Sequence, residues 1–410
     1  MDIAQGGVYF CLFIALYFEV FLLISFFEKK PQKKSASNPK HYPSVSMIVP
    51  CFNEEKTLAG TVRSLLALDY PKDKLEILIV DDGSTDNTRS IGESFAGHPQ
   101  VRFFAKENGG KYTALNLGIG ESKGELVGCL DADSFVVPDA LLEVAKRLEQ
   151  DEEIMALTPA MKVYQPKTIL ELMQSVEYTF GIFYKKMFDN LSAIGVLPGP
   201  FSIYKREVFD IIGPFRHAHN TEDMEIAFRM HKHGLKIANA HTAFVYTTVP
   251  TTVRALLKQR TRWSQGFLQN GLDYKHMFFN HRYGNFGMLV FPFGLLAFCA
   301  GLYTGLYAAY RLLDIAITKA LSLWLTKIPP QLPTAEHLQW FYINTNMLTV
   351  LIVMVFGMTM VAISLGNKMA DSRLTLKSFV SYFAFFGILA PIWLARAAFG
   401  TILARESTWR

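Results

Sequence analysis

The sequence predicts an α/β domain, a mostly parallel sheet with covering helices, inserted between transmembrane helices. Three observations carry that expectation. Four stretches, 7–27, 286–310, 343–365 and 379–399, are apolar and long enough to cross a hydrocarbon core of about 30 Å. Strand-like and helix-like patches alternate from residue 45 to residue 130, the pattern of βα units. Two strand runs end abruptly in acids. The 410 residues are 50% hydrophobic and 19% charged, against about 25% charged in ordinary soluble domains. That composition excludes a disordered chain, a collagen-like rod and a coiled coil, and argues against a wholly soluble protein. The net charge of +5 requires no nucleic-acid partner, and none is expected. Four cysteines without a C-x-x-C pair fit a reducing compartment or a bilayer.

The elements follow in order. The stretch 7–27 reads as an anchor rather than a signal peptide. Its basic residues, Lys29, Lys30, Lys33 and Lys34, lie after it, and no small-residue cleavage site follows. The positive-inside rule places that flank in the cytosol, and the loop with Lys368, Arg373 and Lys377 as well. Residues 35–285 are then one cytosolic block, about 250 residues, enough for a sizeable domain. Three further crossings put the C-terminus outside, while Arg396, Arg405 and Arg410 favour the inside; the parity stays open. Within the block, 45–49, 77–80, 101–104 and 125–130 read as strands, and 54–68, 85–95 and 113–119 as helices. The resulting division is 1–34 for the anchor and basic flank, 35–250 for the α/β domain, 251–285 for amphipathic interfacial helices and 286–410 for a membrane region of about three helices. Residues 311–328 are amphipathic and read as interfacial or re-entrant.

The acids need an explanation, because a carboxylate is costly to desolvate beside a buried apolar run. Asp81 and Asp82 end the second strand. Ser84, Thr85 or Asp86 capping the next helix competes evenly with a functional role there. Asp131-Ala-Asp133 ends the fourth strand. Two acids at i and i+2 bring their oxygens near one point if the backbone turns, a hard-oxygen site suited to Mg²⁺ or Mn²⁺ and to the phosphates of a substrate. Ligands bind beyond the carboxyl ends of strands in such sheets. Thr221-Glu222-Asp223 precedes an amphipathic helix ending near Gly234, and reads equally as a cap with dipole-favoured acids. Gln259, Arg262 and Trp263 stand at i, i+3 and i+4 of the basic amphipathic stretch 252–270 and share a face if it is helical. That stretch reads as an interfacial helix, with the open question whether it also serves a site.

This ordered set, Asp81-Asp82-Gly-Ser, Asp131-Ala-Asp133, Thr221-Glu222-Asp223 and Gln259-Arg-Thr-Arg262-Trp263, resembles the membrane-bound, inverting family-two glycosyltransferases, among them cellulose, chitin, hyaluronan and poly-N-acetylglucosamine synthases. The likeness covers about residues 40–285. Cys51-Phe-Asn53-Glu54, Asn108-Gly-Gly-Lys111 and Leu197-Pro-Gly-Pro-Phe-Ser-Ile-Tyr204 add to it, the last favouring N-acetylglucosamine as the sugar. The resemblance implies that Asp81 and Asp82 hold the uracil and ribose of a UDP-sugar, with Asn53, Glu54, Lys111 and Gln259 also on the donor. It implies that Asp131 and Asp133 meet ribose, diphosphate and Mg²⁺ or Mn²⁺, Asp133 more directly. It makes Asp223 the general base, with Glu222 beside it at the catalytic and acceptor site. Arg262 would neutralise the diphosphate and Trp263 receive the acceptor sugar.

The implied function is processive transfer from a UDP-sugar to a growing polysaccharide at the plasma membrane, with the catalytic domain cytosolic. Four spans are few for a private export channel, so secretion would need oligomerisation or an export partner, the alternative being that this chain does not secrete its product. The alternatives are addition of one sugar to a lipid acceptor and, more remotely, a catalytically silent membrane binding protein. His217-x-His219 and His231-x-His233 are set aside as metal sites, since no third ligand stands at a standard spacing. Asn108-Gly-Gly-Lys111 is not a Walker loop.

Overall fold

The structure is a computed structural model that describes residues 3–28, 37–327 and 346–403. The basic flank 29–36 and the tail arginines Arg405 and Arg410 lie outside the described residues.

An eight-stranded sheet carries the domain. Its strands are β1 (Val45–Cys51), β2 (Leu75–Asp81), β3 (Val101–Ala105), β4 (Leu126–Cys129), β5 (Ser134–Val136), β6 (Ile154–Val163), β7 (Ser202–Lys205) and β8 (Lys236–Thr247). The order across the sheet is β3-β2-β1-β4-β7-β6-β8-β5. The first four strands pair in parallel, as do β6 and β8, whereas β7 runs antiparallel between β4 and β6 and β5 runs antiparallel on β8. Strand periodicity explains why both faces are covered. Val45, Met47, Val49, Ile77 and Ile79 enter one core, while Ile48, Leu78 and Val80 enter the other. A parallel sheet buried on both sides needs such continuous apolar runs.

The covering helices of the first half are α2 (Leu58–Leu66), α3 (Thr88–Ser94) and α4 (Lys111–Glu121), followed by α5 (Ala140–Glu149). All four strands and three helices expected between 45 and 130 are present with shifted ends. Two findings concern caps. The residue preceding α3 is Asn87, which makes no side-chain cap, but Asp86 Oδ1 accepts from the Thr88 amide at 3.0 Å, so of Ser84, Thr85 and Asp86 it is Asp86 that caps the first turn. Thr221 precedes α8 (Glu222–Lys232) but makes no side-chain cap.

The second half adds α6 (Ile169–Asn190), α7 (Glu207–Ile212) and α9 (Val253–Asp273). Thr168 and Glu171 form a capping box that starts α6. Four helices are long and apolar enough to cross a membrane: α1 (Ile3–Glu28), α10 (Phe291–Thr326) with the wide turn Phe286–Val290 before it, α11 (Met347–Met369) and α12 (Leu376–Ile402). Residues 311–326 continue α10 rather than lying apart as an interfacial or re-entrant segment. Leu321, Leu323 and Trp324 are exposed along it, without a break in the helix.

One apolar cluster joins the two halves. Met173 and Val176 of α6 and Leu256 of α9 pack with Ile363 of α11 and with Tyr382, Leu389 and Trp393 of α12. Gly400 of α12 lets Gln265 of α9 approach; a Cβ there would lie 3.0 Å from its Oε1. The domain therefore rests directly on the apolar helices through α6 and α9, and those two helices wall the site.

Candidate active site

A cavity of about 700 Å³ lies beyond the carboxyl end of β4, between α6, α8 and α9. Lys111, Asp131, Asp133, Glu222, Asp223, Gln259, Arg262 and Trp263 all line it. Residues separated by more than 150 positions thus converge. Asn53, Glu54, Asp81 and Asp82 do not line this cavity. They cluster nearby, at the ends of β1 and β2, in hydrogen bonds of their own.

That outer cluster is built from loops. Cys51 pairs with Asp81 in register, and the Asp82 amide donates to the Cys51 carbonyl. Asp81 Oδ1 accepts from the Ser84 amide at 3.2 Å and from its hydroxyl at 2.5 Å. Asp82 accepts from Lys106 Nζ at 2.5 Å and from the amides of Gly109 and Gly110 at 3.1 and 2.9 Å. Asn53 Oδ1 accepts from the Thr85 amide, and the Glu54 amide donates to Thr88. Asp81 and Asp82 thus brace the loops that lead to Lys111.

The inner cluster begins where the backbone turns after β4. Leu130 remains in the sheet's bonding pattern, and the chain turns over Ala132 and Asp133 into β5. Thr61 Oγ1 holds the turn by donating to the Ala132 carbonyl. Lys111 Nζ meets Asp131 at 2.5 Å and Glu222 at 3.4 Å. Those acids raise the Lys111 pKa despite its burial, keeping it charged. Gly199, in Leu197–Tyr204, lies against this pair; a Cβ there would collide with both Asp131 and Lys111. Asp133 accepts from Ser134 and Thr248 hydroxyls, each at 3.1 Å. Burial, then the charges of Asp131 and Glu54, push its carboxyl up to about 6.

Asp223 occupies the first turn of α8. Burial and then Glu222 push its carboxyl up to about 6, against the pull of Lys111 and Arg262. Three consecutive residues with left-handed backbone, Ala218, His219 and Asn220, aim this turn. Non-glycine residues reach that region at a cost, so the strain must be held by neighbours. Arg262 donates to the Asn220 carbonyl at 2.6 Å, and Asn270 to the Thr221 hydroxyl at 2.8 Å. Gly266 allows the approach, since any Cβ there would collide with Thr221. The helix expected over 252–270 is α9, and its Gln259, Arg262 and Trp263 face the cavity, so it serves the site as well.

Several residues on the wall escaped the sequence reading. Glu177 bonds Arg260 at 2.9 Å, and the Arg260 guanidinium stacks 4.2 Å from the Trp263 ring. Tyr178, Gly181 and Lys185 of α6 and Asn239 of β8 also line the cavity. Their signal was present but faint. Glu177, Tyr178, Gly181 and Lys185 recur at helical spacing opposite the apolar row Met173, Val176, Phe183 and Met187. The histidine pairs do structural work. His231 stacks on Phe286 at 4.1 Å and contacts the Ile194 carbonyl, and His219 pairs with Asp273.

Among the described residues no three His, Cys, Asp or Glu side chains converge as a metal cage. Asp131 and Asp133 nevertheless fit a divalent ion held partly by phosphate oxygens, the usual arrangement for Mg²⁺. Lys111 already offsets Asp131, which leaves Asp133 as the carboxylate most in need of a cation.

Residues 46–213 match the family model described as glycosyl transferase family 2. A poly-beta-1,6-N-acetyl-D-glucosamine synthase of Staphylococcus epidermidis is 32% identical over 272 residues, 65% of this chain and 66% of the relative. The synthase of that name in Staphylococcus aureus is 30% identical over 265 residues, 63% of this chain and 64% of the relative. The matches therefore span slightly under two thirds of these curated relatives. A solved mannosyltransferase from Pyrobaculum calidifontis, in complex with GDP-Man and Mn²⁺, superposes with a TM-score of 0.65 at 19% identity, covering 98% of this chain and 99% of that one, and shares the fold. Residues 46–213 thus carry a glycosyl transferase family 2 domain, set against four helices of membrane length.

Proposed function

We propose that this protein is an inverting, processive glycosyltransferase that adds N-acetylglucosamine from its UDP-sugar to the growing end of a polysaccharide, with the catalytic domain on the cytosolic side of the plasma membrane. The observation that carries the reading is the convergence of Asp131, Asp133, Asp223, Arg262 and Trp263 on one cavity between the sheet and the helices α6, α8 and α9. The named synthases at about 30% identity support the sugar and the polymer.

In this reading the chemistry divides among the residues as follows. The UDP portion lies toward Asp81, Asp82 and Lys111, and the diphosphate lies between Asp133 and Arg262. Arg262 offers a planar fork of N–H donors that suits phosphate oxygens better than an ammonium would. Asp223 accepts the proton of the acceptor hydroxyl. The acceptor oxygen forms a bond to the sugar C1 as the bond from C1 to the diphosphate oxygen breaks, and the electron pair leaves with UDP. A carboxyl raised to about 6 is still ionised at neutral pH and is a stronger base than an ordinary aspartate. Mg²⁺ or Mn²⁺ bound at Asp133 and Asp131 would add charge stabilisation to the departing diphosphate. Trp263, fixed by Arg260 behind it, gives the acceptor ring a flat apolar face.

The test is product length. Full-length protein in nanodiscs, given UDP-N-acetylglucosamine and Mg²⁺, should release UDP and form a polymer visible by mass analysis. A product carrying a single added sugar on lipid would replace this reading with the lipid-acceptor one. No UDP release from any UDP-sugar would remove both.

A further inference from the structure

The wall of the cavity formed by α6 and the strands β6 and β8 carries a polar group that the reaction does not use. Thr158 of β6 is its centre. Lys185 Nζ donates to the Thr158 hydroxyl at 3.0 Å, and Asn239 Nδ2 donates to the Thr158 carbonyl at 2.9 Å. Two bonds to one residue hold the two side chains next to each other, and both line the cavity.

Each has capacity to spare. Asn239 is 1% exposed, and its Oδ1 has no hydrogen-bond partner. The orientation of its amide follows from chemistry, because the Thr158 carbonyl can only accept, so Nδ2 faces Thr158 and Oδ1 is the free end. An ammonium has three donors, and the Thr158 hydroxyl takes one. Among the described residues Lys185 has no carboxylate in ion-pair range; the charge it feels most is Asp223, and burial brings it down to about 8. A buried acceptor left unmade and a buried cation left unpaired are both costly. Next to them the cavity is apolar: Ala160 and Met161 follow on β6, and Ile182 lies one turn before Lys185 on α6.

An acceptor atom, a donor cation and an apolar wall complement one group in particular. An acetamido substituent presents an N–H, a carbonyl oxygen and a methyl at separate points. A ring hydroxyl would use one atom for both hydrogen bonds and leave the apolar wall empty. We propose that Asn239 and Lys185, braced by Thr158, form a subsite for the acetamido group of an N-acetylated sugar. Asn239 Oδ1 accepts from its N–H, Lys185 donates to its carbonyl, and Ala160, Met161 and Ile182 receive its methyl. This rests on the proposed function and deepens it by assigning the residues that would select the N-acetyl group. The sugar can be that of the donor or that of the acceptor.

Binding tests the subsite without turnover. The full-length protein in nanodiscs is titrated with UDP-N-acetylglucosamine against UDP-glucose, and with N-acetylglucosamine disaccharides against their 2-hydroxy counterparts. The wild type should prefer the N-acetylated member of one pair by roughly tenfold, the effect of one or two buried hydrogen bonds. A preference within the nucleotide pair assigns the subsite to the donor sugar, and within the disaccharide pair to the acceptor. Asn239→Leu and Lys185→Met should each collapse that ratio toward about one. Lys185→Met keeps a long aliphatic stem and buries no new charge, so it serves if the Asn239 variant does not fold. The proposal is overturned if the wild type shows no preference in either pair, or if the preference survives Lys185→Met. Because these are binding ratios, they stand apart from failure to synthesise polymer, which bears on the proposed function alone.

Discussion

The outer acids and the inner wall of the site differ in how far they are satisfied. Asp82 at the end of β2 accepts three hydrogen bonds from its own chain, and Asp81 accepts two. Among the described residues from 45 to 136, no buried side-chain oxygen or nitrogen lacks a partner. The wall formed by β8 and α9 is the reverse. Gln259 Oε1, Arg260 Nε and one terminal nitrogen, and Asn239 Oδ1 are buried without partners, and Asp223 is raised by burial and by Glu222. Buried polar groups are normally satisfied, so the unmade bonds on cavity-lining residues, which are some of those that the described residues hold, fit a surface that a ligand completes. The difference separates a preformed cradle from a surface that awaits its substrate.

The largest expected effect tests that division at its centre. Asp223→Asn keeps the shape of the first turn of α8 but removes the base. Transfer should fall by about 10²–10⁴-fold, with the protein still inserted and folded, as read by UDP release. Asp82→Asn in the same preparation should act mainly on donor KM. If it lowers kcat as far as Asp223→Asn does, the outer acids are not a cradle and the comparison fails.

Stability gives the next contrast. Arg260 is 3% exposed and Glu177 is its ion-pair partner. Arg260→Ala removes the charge partner of Glu177, whose side chain is a quarter exposed on the cavity wall, a loss of about 2–3 kcal/mol. The double variant Glu177→Gln with Arg260→Met should recover most of it, since matched removal spares the unpaired charge. Unfolding midpoints in detergent decide this. A smaller effect is expected at Gly199→Ala, about 1–3 kcal/mol from crowding the Asp131–Lys111 pair. Gly120→Ala, in open space on α4, should be tolerated and is the control.

How much of this was readable in the sequence follows the same line. β1 to β4 were legible because both faces of each strand are apolar and βα units are local. Asp131 and Asp133 were legible as a pair because the turn over Ala132 lies between them. Gln259, Arg262 and Trp263 were legible as one face of a helix. The second half of the sheet was not: β7 inserts antiparallel between β4 and β6, a non-local pairing that no local period announces. Lys185 stands beside Lys186 in the sequence, and nothing local tells the two apart, yet Lys186 pairs with Asp189 at 2.6 Å while Lys185 lines the cavity. What turns Lys185 inward is the packing of α6 on α11 and α12, which only the assembled helices define. Asp81 and Asp82 were expected on the ligand itself, and the structure adds that they brace the loop before Lys111, outside the main cavity.

The smallest effect expected is on pH, and it sharpens the contrast because activity and stability should move in opposite directions. Asp223 must be ionised to act, so with a carboxyl at about 6 the rate should halve near that pH and fall roughly tenfold for each further unit of acid. For stability the sign is the other way. A carboxyl whose folded pKa is raised above its unfolded value, about 3.9, contributes stability that is complete below that value and is lost as pH rises through about 6. Asp133 contributes in the same direction and window. The inner wall should therefore become less stable over the pH interval in which it becomes active. Melting midpoints from about pH 4 to pH 7, set beside UDP release over the acid limb, measure both trends. Asp223→Asn and Asp133→Asn should each flatten part of the stability trend, whether or not the variant turns over. A stability profile left unchanged by both variants would mean that the carboxyls of the wall are not strained by burial, and that the satisfied cradle and the expectant wall are alike after all.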